Sequence, residues 1–239
     1  MKTKNKIFLI STIALSYLGF FGIGFLNVEF NNITKNPFAI ILFILATLVP
    51  GLIGIILVDN RKWMDLKNIN LLSILFFIGL LLVHMLVFSF FGQTRRIDDL
   101  GKFIFALVVC TFAFGLQEIG WIDLVFQRYL EEKGLFKSIV IIGLFKSLTF
   151  LPLTLLEGSP IDPNVFAYFS VFVIGLSSFS LFLRYYSKSA LLSGLFIGFA
   201  YGLMSFMDLN LGPWLLIIGF IEVIFVYGLQ DLIRENIFS

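Results

Sequence analysis

Charge is the scarcest thing in this sequence. Only 13% of its 239 residues are Asp, Glu, Lys or Arg, where ordinary soluble domains carry about 25%. A soluble globule of this size has to cover a large surface with polar groups. The shortage therefore argues against a soluble domain, a disordered chain and a collagen-like repeat. Cysteine is nearly missing too. The single Cys110 lies in an apolar run and excludes both an intrachain disulfide and a cysteine-based zinc cluster. The single histidine, His84, sits amid Leu and Val. With one or two carboxylates it makes a poor zinc site, since such sites take three or four protein ligands. A net charge of +2 is too small to suggest nucleic-acid binding.

What is present is apolar. Hydrophobic residues make up 59% of the chain, with 31 phenylalanines, and the mean hydropathy is +1.01. The bias toward Phe, Ile, Asn and Lys suggests AT-rich coding and a low-GC bacterial source. A helix needs about 20 apolar residues to cross the hydrocarbon core. Eight segments qualify, near 7–26, 37–58, 70–92, 103–122, 138–156, 165–184, 189–207 and 213–229. Most are apolar all round, as lipid-facing helices are. The fold expected is an all-α bundle of about eight transmembrane helices forming one polytopic domain over 1–239.

The first span follows a basic start with Lys2, Lys4 and Lys6, as in a signal peptide. Its apolar run is too long for an ordinary signal core and no small-residue cleavage site follows, so a retained anchor is expected. The other basic residues set the orientation. With the N-terminus inside, the inner segments also hold Arg61, Lys62, Lys67, Arg128, Lys133, Lys137, Arg184, Lys188 and Arg234. The outer ones hold Lys35, Arg95, Arg96 and the border residue Lys102. This asymmetry follows the positive-inside rule and predicts cytoplasmic termini. Gly194, Gly198 and Gly202 recur every four residues and form a smooth face for another helix, within the chain or across a dimer. Pro50-Gly51 is expected to interrupt and kink the second span.

Charges inside a span cost about 2.5–3.5 kcal/mol each on insertion scales, so they need partners or a wet cavity. Glu118, Lys146 and Glu222 are such charges, and His84 and Gln117 accompany them. Lys146 lies about 12 Å into its span at 1.5 Å per residue. That depth places it to pair with Glu222 or Glu118. The trio is either a polar site or a buried ion pair that fixes helix register. His84 is expected to bond a neighbouring helix.

The stretch Gln117-Glu118-Ile119-Gly120-Trp121 resembles the first motif of the CPBP intramembrane proteases, the CAAX protease and bacteriocin-processing family. That motif reads Glu-Glu-x-x-x-Arg, often with Gly-Trp before the Arg. The family's His-Leu-Pro step is matched by Phe150-Leu151-Pro152, and its Ser-rich entry to a His-x-x-x-Asn or Asp helix by Ser187-Lys188-Ser189-Ala190. The likeness covers about 103–205 and implies a CAAX-protease-like fold. The departures are as informative. Gln117 stands where the family has its first Glu, while Glu118 keeps the second. Ile122 takes the motif Arg position, and Phe150 the second-motif His. The third-motif His falls near Ile197 and its Asn or Asp near Tyr201.

Family members are thought to use the glutamate and histidines to hold a metal or polarise a water. Peptide hydrolysis needs a base to activate that water and donors for the oxyanion. Gln117 cannot accept a proton in the working pH range, and Phe150 and Ile197 can neither ligate nor donate. No intact catalytic set, metal or cofactor is therefore expected. Ser147 and Lys146 are adjacent on a helix and diverge by about 100°, which disfavours a Ser–Lys dyad. Glu131-Glu132 reads as a solvated loop. The resemblance then implies a pseudoprotease that binds a membrane protein or peptide, with bacteriocin immunity and cell-envelope control as settings. The alternatives are an active endopeptidase with a rearranged site, or a small transporter or channel lined by Glu118, Lys146 and Glu222. No inverted repeat supports the last.

Overall fold

The computed structural model describes residues 2–58, 69–93, 104, 107–159, 161–206, 208–209 and 211–229. Arg61, Lys62, Lys67, Arg95, Arg96, Lys102 and Arg234, used above for orientation, lie outside the described residues. The chain is all-α. Among the described residues the longer helices are α1 (Lys2–Phe25), α2 (Pro37–Leu57), α3 (Leu71–Phe91), α4 (Leu107–Lys133), α5 (Leu135–Phe150), α6 (Phe166–Ser187), α7 (Ala190–Phe206) and α8 (Trp214–Gly228). The only extended pairing among the described residues is a two-residue antiparallel contact, Gly92–Gln93 with Asp208–Leu209.

Six helices are long and apolar enough to cross a membrane: α1 to α4, α5 with the turn that follows it, and α6. The shorter α7 and α8 are apolar as well. Large apolar side chains cover the outside, among them Phe25, Phe38, Ile56, Leu71, Phe90 and Ile224. So much exposed apolar surface suits lipid rather than water. Inside lies a phenylalanine-rich core that includes Phe8, Phe20, Trp121, Phe126, Phe172, Phe182 and Phe196.

Local signals set the helix ends. Asn36 caps α2, its side chain accepting from the N–H groups of Phe38 and Ala39, with Pro37 at the first turn. Gly134, at φ 78°, turns the chain from α4 into α5, a backbone shape that costs glycine nothing. α5 tightens to a 3-10 turn at Leu151–Leu155, where Pro152 lacks the N–H to continue the ladder. Two sequence expectations shift here. The fourth span runs on through the polar turn Gln127–Lys133 instead of stopping near 122, because its ladder stays intact up to Gly134. Helix α2 also continues through Pro50. The proline withholds the N–H that the Ala46 carbonyl would accept, and Ser16 Oγ of α1 donates to that carbonyl at 3.2 Å.

Glycine lets backbones approach. On α7, Gly194 packs on Gly115 of α4, Gly198 on Thr111 and Gly202 on Leu107. The smooth face anticipated on this helix thus meets α4 within the same chain. A Cβ at Gly194 would lie 2.5 Å from the Gly115 carbonyl oxygen. Gly194→Ala should therefore destabilise the protein by about 1–3 kcal/mol through overpacking. Gly79→Ala on α3, where a Cβ meets nothing within 4 Å, should be neutral or slightly stabilising. Unfolding midpoints in a detergent titration compare the two directly.

Candidate functional site

The residues singled out in the sequence gather around α4, a helix of uneven pitch. Thr111–Gly115 and Trp121–Phe126 are π-helical, and Leu116–Gly120 between them is α-helical. Glu118 therefore sits on a short α segment between two wide turns. Such turns occur often at functional positions. Here the lower one has a definable geometric effect. Residues five apart on an α-helix diverge by about 140°, but i→i+5 closure in a π turn brings them toward one face. Glu118 and Asp123 are five apart. Both meet the same face of α6, where their partners Ser180 and Arg184 are four apart.

The Glu118 carboxylate is buried and fully engaged at one oxygen. Lys146 Nζ of α5 donates to Oε2 at 2.7 Å, and Ser180 Oγ of α6 donates to the same atom at 2.7 Å. Ser180 also lies 2.6 Å from Ser193 Oγ of α7. Ser180 spends its proton on Glu118, so Ser193 is the donor in that contact. Four helices thus meet in one polar chain. Near one end of the bundle, Arg184 Nε donates to Asp123 Oδ1 at 3.0 Å, a second largely buried link between α4 and α6.

Glu222 does not join Lys146. It faces His84 of α3, with Nε2 and Oε1 2.6 Å apart. Its place on α8 follows from glycine packing. Gly219 lies against the Val171 carbonyl, and Gly175 leaves room for the Glu222 carboxylate itself. The Tyr201 phenol of α7 is within electrostatic reach of both Glu118 and Glu222. The charged trio of the sequence therefore splits, Glu118 pairing with Lys146 and Glu222 with His84, on different faces of α6.

The motif-equivalent positions divide. Phe150 and Tyr201 touch at 5.4 Å between ring centroids, and Phe114 packs on both. Ile197 lies one turn from Tyr201, buried, and Ile122 is buried on the lower π turn. Gln117 turns the other way. Its Nε2 donates to the Thr47 carbonyl of α2 at 2.5 Å, next to the turn that Pro50 loosens. A glutamate at that position has no proton to donate in its ionised form. Gln117→Glu should cost about 1–3 kcal/mol, since it sets an acceptor against an acceptor, and should confer no peptidase activity. A thermal melt of the purified variant reads the first part and a peptide-cleavage assay the second.

No family model matches this chain, and neither does any curated protein sequence.

The arrangement can be tested against a resident metal on its own donors. Among the described residues no group of three or more His, Cys, Asp or Glu is placed to hold an ion. Glu118 is committed to Lys146, and His84 faces Glu222. A zinc of the kind the family resemblance implies does not fit these residues.

Sequence reasoning missed four contributors. Ser180 is one of five serines on α6 and nothing local marks it or Ser193, while Arg184 reads as one more basic residue at an inner helix end. The i, i+4 spacing of Ser180 and Arg184 was the available signal, but it becomes informative only once the π turn on α4 is known. The fourth contributor is the His84–Glu222 contact. Its two members were each conspicuous, but their pairing depends on the docking of α3 beside α8.

Proposed function

We propose that this is a CPBP-type membrane protein without peptidase chemistry, which binds or regulates another membrane protein or a transmembrane peptide. In this reading the chain crosses a bacterial plasma membrane eight times, with α7 and α8 as short crossings and both termini cytoplasmic. Bacteriocin immunity or cell-envelope control is its setting. The observation that carries the proposal is the state of Glu118. It is the one motif carboxylate retained, and its Oε2 is occupied by an ammonium and a hydroxyl. A general base must face the water it activates, and here one oxygen faces the ammonium and the hydroxyl instead. A carboxylate neutralised by a buried lysine is a poor base and an awkward metal ligand. Phe150 puts an apolar ring where the family places a His, and the Tyr201 ring packs against it.

Such a protein retains the shape of a peptide-accepting bundle and uses it for binding alone. The purified protein in lipid nanodiscs should carry no stoichiometric zinc and leave transmembrane peptides intact. Photo-crosslinking in native membranes followed by mass spectrometry should capture a membrane-embedded partner. One zinc per chain that disappears in Glu118→Ala, or peptide cleavage abolished by the same variant, would establish the endopeptidase reading in its place.

A further inference from the structure

Helix α3 is attached to the bundle differently from the others. It packs on α7 and α6, and its outer face is all lipid-type surface, with Leu75, Leu82, Leu86 and Phe90 exposed. The buried stripe is narrow: Ser73, Leu80, His84 and Phe88. Ser73 is satisfied locally, by Asn70. His84 is therefore the buried polar side chain through which α3 reaches another helix. Rings of Phe88, Phe172, Phe179 and Phe196 surround the imidazole at centroid distances of 5.3–6.4 Å.

Proton positions in this contact are constrained. His84 Nδ1 lies 2.8 Å from the Leu80 carbonyl, which can only accept, so Nδ1 carries a hydrogen. The free choice is at Nε2, 2.6 Å from Glu222 Oε1. These two atoms are close without forming an aligned hydrogen bond, and Glu222 Oε2 has no hydrogen-bond partner among the described residues. Attraction between an imidazolium and a carboxylate thus holds the pair, with few auxiliary bonds to replace it.

We infer that the His84–Glu222 contact is a proton-controlled latch that docks α3 onto the bundle, and that protonation of Glu222 releases the helix. The new proton enters a carboxyl whose second oxygen has no hydrogen-bond partner among the described residues. It leaves an imidazolium among phenyl rings without a counter-charge. The pair then loses its attraction and keeps its desolvation cost, which favours moving α3 outward. The titratable surroundings are few. From α8 the imidazole faces Glu222, and from α7 Tyr201 is in electrostatic reach of that carboxylate. The side chains that α6 presents to the imidazole are phenylalanines. Glu118 and Lys146 lie beyond, paired with each other. Release of α3 opens the bundle sideways to lipid, a regulation that goes beyond the binding role above and does not depend on it.

Nitroxide labels at Leu82→Cys on α3 and Ile221→Cys on α8, both exposed positions, in a Cys110→Ala background, report the separation by pulsed electron resonance in nanodiscs. Acidification should add a longer-distance population at the expense of the docked one. Glu222→Gln removes the counter-charge as protonation does, so its distances should favour the released form and stop responding to pH. His84→Ala should shift the balance toward the released form at every pH by roughly two to four orders of magnitude, the size associated with leaving a buried charge unpartnered. A wild-type distribution that is the same across the series overturns the latch. So does a Glu222→Gln variant that responds to acid as the wild type does, whether or not His84→Ala folds.

Discussion

Lys146→Met should cost about 3–5 kcal/mol, the penalty for leaving one member of a buried pair without its partner. The substitution fills a similar volume, so packing contributes little. The loss falls on Glu118, whose Oε2 then keeps only the Ser180 hydroxyl. Denaturation in a detergent titration should show an early transition for this variant. A second substitution separates structure from function. Adding Glu118→Leu removes the stranded charge, and most of the stability should return, because apolar replacement of a buried pair is often neutral or favourable. Ser180 loses its acceptor in that double variant, but it can turn to the carbonyl four residues back, as Ser177 does with Val173 on the same helix. If the double variant is stable yet captures no partner by crosslinking, the pair takes part in binding. If it captures the partner normally, the pair serves helix register alone. A single variant as stable as the wild type would remove the ion pair from both accounts.

Gly175→Val should be at least as damaging, at about 3–5 kcal/mol. A Cβ there would occupy the position of the Glu222 carboxylate and press on Gly219. Overpacking alone costs about 1–3 kcal/mol. Displacing the carboxylate also strands His84. Two helices should respond together: α8 through steric pressure and α3 through the lost contact. Cysteine accessibility on both, read by maleimide labelling of the Leu82→Cys and Ile221→Cys proteins in a Cys110→Ala background, distinguishes this from a local packing defect. A change confined to α8 would show that Glu222 does not couple the two helices.

How legible was this from the sequence? The apolar segments located the helices to within a few residues, since a bilayer imposes both length and hydropathy on a crossing element. The fourth was the exception. Polar Gln127, Arg128 and Glu131 read as a loop, yet helix propagation continued to Gly134. The isolated charges were legible as well, because an ionised side chain in an apolar run is conspicuous whatever the fold. Their partners were not. Depth along a span allowed Lys146 either glutamate, and the choice of Glu118 rests on which helices are adjacent. Side-chain direction was the hardest. Gln117 and Glu118 are neighbours in sequence but serve opposite helices, α2 and α6, and an approximate motif alignment contains no rotational phase. Irregular pitch compounds the difficulty, since π turns have no strong composition signal.

The uneven pitch of α4 has a consequence for how this chain tolerates change. A π turn is in effect one extra residue taken into a helix without breaking it. Removing a single residue within Trp121–Phe126 would restore ordinary winding and leave every side chain type in place. The rest of the helix would keep its phase, because i→i+4 closure would then replace i→i+5 closure. A one-codon deletion here is thus absorbed by the turn, whereas the same deletion within a regular helix such as α6 would rephase everything beyond it by about 100°. Natural variation should therefore admit a one-residue deletion at this turn more readily than in the regular helices around it.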